Sequence, residues 1–211
     1  MNRNCAIGLT LLCTLVGPAA GQGLNVLHPD GPYTQAATGM TYPVSVGDFQ
    51  RVSIIRYKSD GTDESAGYNQ STPAGGIVAT VYVFPSPSLT SIFSPQSVID
   101  DARNYLCNSQ FHTVQREIVS AHPDAVLKSE RAATLTQGSA AYTGHQASYT
   151  LAHAAFLGNP QILEHSDVYL FCYAGGKWSV EYRIDYPADF DASIPIANFM
   201  RDLTWTIPPE K

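Results

Sequence analysis

The sequence of 211 residues lacks the short motifs that mark common hydrolase and metal sites. It contains neither G-x-S-x-G nor S-x-x-K, so these two serine-nucleophile patterns are absent. It also contains neither H-E-x-x-H nor C-x-x-C, the simplest zinc-binding patterns. We therefore predict no catalytic residue, no metal site and no cofactor. A hydrolase whose active site has no recognisable motif is the alternative.

The sequence also lacks an apolar run of the about 20 residues that a membrane-spanning helix needs. The run from Cys5 to Val16 is shorter; it follows the basic residue Arg3 and precedes small residues that end at Gly21. This order predicts a signal peptide over residues 1–21, cleaved after Ala20 or Gly21. We expect a periplasmic or secreted protein with no stable membrane anchor after cleavage.

Basic residues are few. The chain has 12 Lys and Arg against 18 Asp and Glu, a formal net charge of −6, and loss of the signal peptide removes Arg3 as well. A negative surface repels phosphate backbones and anionic lipids. The charge therefore argues against nucleic-acid binding and leaves an unknown protein or small molecule as the partner.

Cysteine is scarce too. Of four cysteines, Cys5 and Cys13 lie in the signal peptide, so Cys107 and Cys172 remain. In an oxidising compartment two remaining thiols suggest a disulfide, which would contribute about 4 kcal/mol by closing a loop of about 65 residues. Against the bridge, Cys107 lies about 135° from the centre of the apolar face of its predicted helix. The sequence alone does not decide whether this disulfide forms.

Runs rich in Val, Ile, Tyr and Phe alternate with turn residues over most of the chain, which predicts antiparallel strands. Gly175-Gly176 is a strong signal for a two-residue hairpin. The predicted strands are 42–46, 49–58, 65–69, 77–84, 125–135, 140–152, 163–174 and 177–186.

Two helices are predicted. The first runs from about Pro95 to Ala121 with Ser94 as N-cap and a bend or break near 108–110. Its apolar stripe consists of Val98, Ile99, Ala102, Tyr105 and Leu106. The second has Ser193 or Asp191 as its cap, and Trp205 packs after it. The apolar positions of the second helix are Ile196, Phe199, Met200 and Leu203.

These elements predict one α+β domain over residues 40–205. An extended lead-in, 22–39, precedes it and a tail, 206–211, follows. Its mainly antiparallel sheet of about seven strands is flanked by a long central helix and a C-terminal helix in a layered sandwich. Strands 78–84 and 168–173 are apolar on both faces, so both faces of the sheet should be covered.

The strand 177–186 alternates polar and apolar residues, which predicts one wet face at a sheet edge or over a groove. Glu181, Arg183 and Asp185 lie on that face. Glu181 and Asp185 are roughly 13 Å apart, too far for the two carboxylates of a glycosidase at about 5 to 10 Å. Arg183 between them indicates a charge ladder or the polar floor of a ligand groove.

Other ligand-type residues give no metal site. Glu164 to Asp167 is best interpreted as a solvated loop. His145 and His153 share a strand face but lie about 26 Å apart, so they cannot bind one ion together. The 12 tyrosines suit sugar or peptide recognition, and they equally suit strands.

The order of elements is similar to that of the PsbP-like fold, whose best-known members are extrinsic, non-catalytic photosystem subunits. The segments 46–51, 77–83 and 177–187 also look like those of small secreted bacterial proteins of uncharacterised function. These resemblances imply export and a shared fold, with no activity to transfer. The predicted function is an exported, non-enzymatic binding or structural domain.

Overall fold

The computed structural model describes residues 25–73, 75–89, 95–156 and 159–209, and for 153–156 and 159–162 it describes the backbone. The predicted signal peptide and the predicted N-cap Ser94 lie outside these residues. The elements are β1 (Asn25–Leu27), β2 (Tyr33–Thr34), β3 (Thr41–Tyr42), β4 (Ser45–Val46), β5 (Phe49–Arg56), β6 (Glu64–Gln70), β7 (Ile77–Pro85), α1 (Gln96–Ala121), β8 (Val126–Gln137), β9 (Ala140–Phe156), β10 (Asn159–Ala174), β11 (Trp178–Pro187) and α2 (Ser193–Asp202).

Nine strands of the described chain form one antiparallel sheet. Its order is β1-β5-β6-β7-β11-β10-β9-β8, with β4 also paired to β5, and β2 and β3 form a separate two-stranded sheet. The predicted α+β antiparallel sandwich with two helices is confirmed. The sheet has nine strands rather than the predicted seven or so, because the lead-in contributes β1 and the short strand β4, from the predicted strand 42–46, also pairs with β5.

Both faces of the sheet are covered, as the two-sided apolar strands predict. On one side, the α1 face, Phe111 and Ile118 of α1 pack against Val168 and Leu170 of β10. On the other, the α2 face, α2 packs with Phe171 and with alternate residues of β7. No helix among the described residues is long and apolar enough to cross a membrane.

The predicted packing of α1 is wrong. Val98 and Tyr105, from the predicted stripe, are 51% and 73% exposed, and the helix continues through 108–110 without a break. The residues that α1 buries are Cys107, Phe111, Val114 and Ile118, at helical spacing. The apolar residues shift to another side of the helix near 108–110, and this shift suggested a break. They instead form a second apolar stripe on the same continuous helix.

A disulfide joins α1 to the sheet. Cys107 and Cys172 are bonded, with their Cα atoms 5.8 Å apart. The argument against this bridge, that Cys107 points away from the apolar face of the helix, fails because Cys107 belongs to the stripe that packs.

The predicted hairpin between β10 and β11 is present, but its loop has three residues, 175–177, rather than the predicted two. Gly175 and Gly176 lie in this turn with φ of 58° and 93°, which favours glycine. A Cβ on Gly175 would lie 2.4 Å from the Pro208 carbonyl oxygen, because the C-terminal tail passes directly over this turn.

The C-terminal helix and tail are held by buried hydrogen bonds. The side-chain amide of Gln137 donates to the carbonyls of Met200 and Leu203, 2.8 Å each, and its oxygen accepts the N–H of Trp205 at 2.9 Å. The Trp205 indole donates to the Tyr182 hydroxyl at 2.7 Å. Gln137 therefore ends α2 and fixes the packing that was predicted for Trp205.

The two ends of the described chain meet. The Thr206 hydroxyl donates to the Gly39 carbonyl at 2.6 Å and accepts the N–H of Thr41 at 2.8 Å. At the other end of α2 the predicted cap, Ser193 or Asp191, is wrong: the N-cap is Ala192, Ser193 is the first helical residue, and Asp191 precedes the cap and accepts the Ser193 N–H at 3.0 Å.

Candidate functional site

A groove of about 1000 Å³ lies on the α2 face, between α2 and the strands β8 to β11. The helix covers only part of this face, so the sheet beyond it stays open to a ligand. Side chains from β8, β9, β10 and β11 form the floor, and one side of α2 with the preceding loop forms the wall.

The strand register places three polar side chains of the floor in one row. Arg131 pairs with Gln146, and Gln146 pairs with Tyr169. Arg131 Nε donates to Gln146 Oε1 at 2.8 Å, and Gln146 Nε2 donates to the Tyr169 hydroxyl at 2.9 Å. Burial, followed by the nearby Asp167, raises the pKa of Tyr169, so its hydroxyl keeps its proton at neutral pH.

A second polar pair lies next to this row. The Tyr186 hydroxyl donates to Asp167 Oδ2 at 3.1 Å, and Asp167 is only 6% exposed although it lines the groove. Burial, followed by the charge of Asp167, raises the pKa of Tyr186. The ring of His165 lies 5.5 Å from that of Tyr186. A buried carboxylate and two tyrosine hydroxyls therefore face the same cavity.

Part of the lining is apolar. Phe171 of the sheet and Ile196 and Met200 of α2 line the groove and belong to the buried core on this face. The groove therefore combines a polar floor with apolar side chains, which is the usual composition of small-molecule sites.

Three groove residues have the side chains of a hydrolytic site. Ser148 is the cross-strand partner of Asp167, and His165 is two residues from Asp167 on the same strand face. Within the described residues, however, no hydrogen bond joins His165 to Ser148 or to Asp167, which accepts a hydrogen bond from Tyr186 instead. The three side chains lie near one another but do not form a hydrogen-bonded catalytic triad.

The residues that the sequence singled out lie elsewhere. Glu181, Arg183 and Asp185 are on the α1 face, and β11 is a central strand between β7 and β10. The predicted wet face at a sheet edge or over a groove is therefore wrong: Glu181 is 2% exposed, because α1 covers this side.

Arg183 links this face of the sheet to α1. It donates to Glu181 and, at 3.1 Å, to Glu117 of α1, and its guanidinium lies 5.0 Å from the centre of the Tyr82 ring. Burial raises the pKa of Glu181, and Arg183 opposes this rise. Among the described residues no ion pair joins Arg183 to Asp185, so the structure shows one acid of the predicted charge ladder paired with Arg183 and these residues do not form the floor of the groove.

The segment Glu164 to Asp167 is not the predicted solvated loop. It lies within β10, and Glu164, Ser166 and Asp167 are all less than 8% exposed. The predicted strand 163–174 already contained this segment, and the structure begins β10 four residues earlier, at Asn159. No group of three His, Cys, Asp or Glu side chains able to hold a metal ion occurs among the described residues.

Glu164 makes stability depend on pH. Its Oε1 is buried without a hydrogen-bond partner, and burial, followed by Asp185, raises its pKa to about 7. The protonated form therefore favours the fold; this contribution is full below the ordinary value of 4.5 and is lost as pH rises through about 7.

We expect Glu164→Gln, which stays neutral, to match the wild-type unfolding temperature at pH 4 and to exceed it at pH 8. Thermal unfolding followed by circular dichroism at the two values measures this. Asp48→Asn, on an exposed turn, serves as the control and should not gain unfolding temperature over the wild type at pH 8. An equal difference at both pH values would show that Glu164 does not titrate in this way.

Sequence reasoning missed the groove. Arg131, Gln146, Tyr169 and Tyr186 carry no motif and become neighbours only through strand pairing. The excess of tyrosine in predicted strands was the one available signal. Comparison of the chain with protein-family models finds no match, and a search of curated proteins finds no relative.

Proposed function

We propose that the protein is an exported, non-enzymatic binding domain that holds a small molecule in the groove on the α2 face. The observation that supports this most is the groove itself: about 1000 Å³, with buried Asp167 and the Arg131–Gln146–Tyr169 row in its floor. Ligand sites commonly occupy about 300–1000 Å³ and combine a few placed polar groups with apolar walls.

Export is supported by two features. The first residues have the order of a signal peptide. The Cys107–Cys172 disulfide is of a kind that persists in periplasmic and extracellular proteins and is rare in the cytosol.

A hydrolase is the second candidate, because Ser148, His165 and Asp167 share the groove. Substrate binding would have to move His165 off the Tyr186 ring and into contact with Ser148. Turnover of chromogenic esters or peptides by the wild type, lost in His165→Ala and in Asp167→Asn, would establish this alternative.

Filling the groove tests binding directly. Ala197 lies on the groove side of α2 and is exposed, so Ala197→Trp blocks the cavity without disturbing the core. Dipeptides, monosaccharides and small organic acids serve as the probes, by thermal shift and calorimetry. We expect at least one probe class to bind the wild type and to lose about tenfold or more of its affinity in Ala197→Trp.

Val119→Trp is the matched control, since Val119 is an exposed residue of α1 on the opposite side of the sheet. It should bind like the wild type. Binding that Ala197→Trp leaves unchanged, or no binding by any probe class, would refute the proposal.

A further inference from the structure

Building on the proposed function, we infer that the groove binds a short peptide of about two residues through its charged termini. Three features support this ligand class: a buried carboxylate with unused acceptors, a guanidinium with unused donors, and apolar wall residues in the same groove. The structure describes the side chains of all the residues that provide these features.

Asp167 supplies the acceptor for an ammonium group. A carboxylate can accept about four hydrogen bonds, and among the described residues Tyr186 donates one to Asp167. The side chain is 6% exposed and lines the groove, so a ligand cation there would be shielded from water. A peptide N-terminus carries three N–H donors and a positive charge, which match this carboxylate.

Arg131 supplies the donors for a carboxylate. Its Nε donates to Gln146, and no other described residue accepts a hydrogen bond from its guanidinium. The two terminal nitrogens therefore remain for a ligand, and a guanidinium binds a carboxylate in bidentate geometry.

The spacing of the two charges fits a dipeptide. Arg131 and Asp167 are two strands apart and one same-face step apart along the strand. At about 4.8 Å per strand and about 6.6 Å per step, their Cα atoms lie roughly 12 Å from each other. The termini of an extended dipeptide are about 7 Å apart, which leaves about 5 Å for the contacts at its two ends.

The wall selects for an apolar side chain. Phe171, Ile196 and Met200 line the groove beside the polar floor. A monosaccharide can hydrogen-bond to these groups but carries no charge to complement Arg131 and Asp167, whereas the two termini of a peptide do. The charged pair therefore favours the peptide.

Leucyl-phenylalanine, its N-acetyl derivative and its C-terminal amide are the probes, and calorimetry gives their affinities. We expect the free dipeptide to bind the wild type and each blocked form to bind at least about tenfold more weakly, since each loses a charge-assisted hydrogen bond. Ala197→Trp should abolish binding of the free dipeptide.

Two variants test which residue binds each terminus of the dipeptide. Asp167→Asn should remove the preference for a free amine and keep the preference for a free carboxylate, whereas Arg131→Gln should do the reverse. Asp100→Asn and Arg116→Gln, which change exposed charges on α1, are the matched controls and should bind like the wild type. Thermal unfolding verifies that each variant is folded.

The outcomes separate the two proposals. Equal affinity for free and blocked dipeptides, or failure of Asp167→Asn and Arg131→Gln to change these preferences, would overturn the peptide inference. If a monosaccharide or organic acid binds instead and Ala197→Trp displaces it, the groove remains a ligand site and only the ligand class is wrong. If Ala197→Trp alters no binding at all, the proposed function itself fails.

Discussion

The double variant Cys107→Ala, Cys172→Ala is expected to lose about 4 kcal/mol of unfolding free energy relative to the oxidised wild type. The bonded residues are separated by 65 positions, and a cross-link over such a loop removes much of the entropy of the unfolded chain. A domain of this size has only about 5–15 kcal/mol of total stability, so the loss is large.

The effect should be concentrated in α1. Apart from Cys107, this helix buries only Phe111, Val114 and Ile118, and its first half is largely exposed. Without the bond, α1 should leave the sheet at lower denaturant concentration than the sheet itself unfolds. Urea unfolding and amide hydrogen exchange measure the two steps.

Reductant gives the control for the disulfide. It should destabilise the wild type by a similar amount and leave the double alanine variant unchanged. Equal unfolding free energies for the oxidised wild type and the double variant would show that the bond adds nothing to stability.

Gln137→Ala should cost about 3–5 kcal/mol. One side chain satisfies the carbonyls of Met200 and Leu203 and the N–H of Trp205, and its residue is 7% exposed. Each buried backbone group left without a partner costs about 1–3 kcal/mol. The loss should appear in urea unfolding and as a change in Trp205 fluorescence.

Gln137→Glu sharpens this test, because it keeps the size and the acceptor for Trp205 but removes the two donors. It should be more destabilising at pH 7, where a carboxylate would face two carbonyls, than at pH 4, where a protonated acid can donate to one of them. Gln50→Ala, on an exposed position of β5, should change stability by less than about 0.5 kcal/mol. A loss in Gln137→Ala no larger than that in Gln50→Ala would contradict the role of Gln137.

Local patterns in the sequence were sufficient for most of the fold. The alternation of apolar residues indicated the strands, Gly175-Gly176 indicated a hairpin, and the spacing of Ile196, Phe199 and Met200 indicated α2. Each of these signals acts between residues close in the chain, so it survives without knowledge of tertiary contacts.

The order of strands in the sheet and the buried side of α1 were harder to predict from the sequence. The alternation in β11 suggested a wet face, whereas a polar face can also be buried when a helix such as α1 brings a charged partner to it, as Glu117 does for Arg183. Helix α1 carries two stripes, and the more apolar one, with Val98 and Tyr105, is the one left exposed. The sequence alone cannot rank two faces of one helix, because the choice depends on the sheet it meets.

The groove depends entirely on register. Arg131 and Gln146 are 15 residues apart, and Gln146 and Tyr169 are 23 residues apart. If one of their strands shifted by one residue, its side chains would turn to the opposite face of the sheet. Such pairings leave no motif in the sequence.

The hydrogen bonds of Thr206 with Gly39 and Thr41 bear on how the protein is made. Because the segment around Gly39 and the segment after α2 complete each other's packing, synthesis must pass Thr206 before the interior beneath Trp205 can close. A nascent chain that has not yet passed this residue leaves apolar strands uncovered, so the core on the α2 face forms only after both helices and every strand have been made.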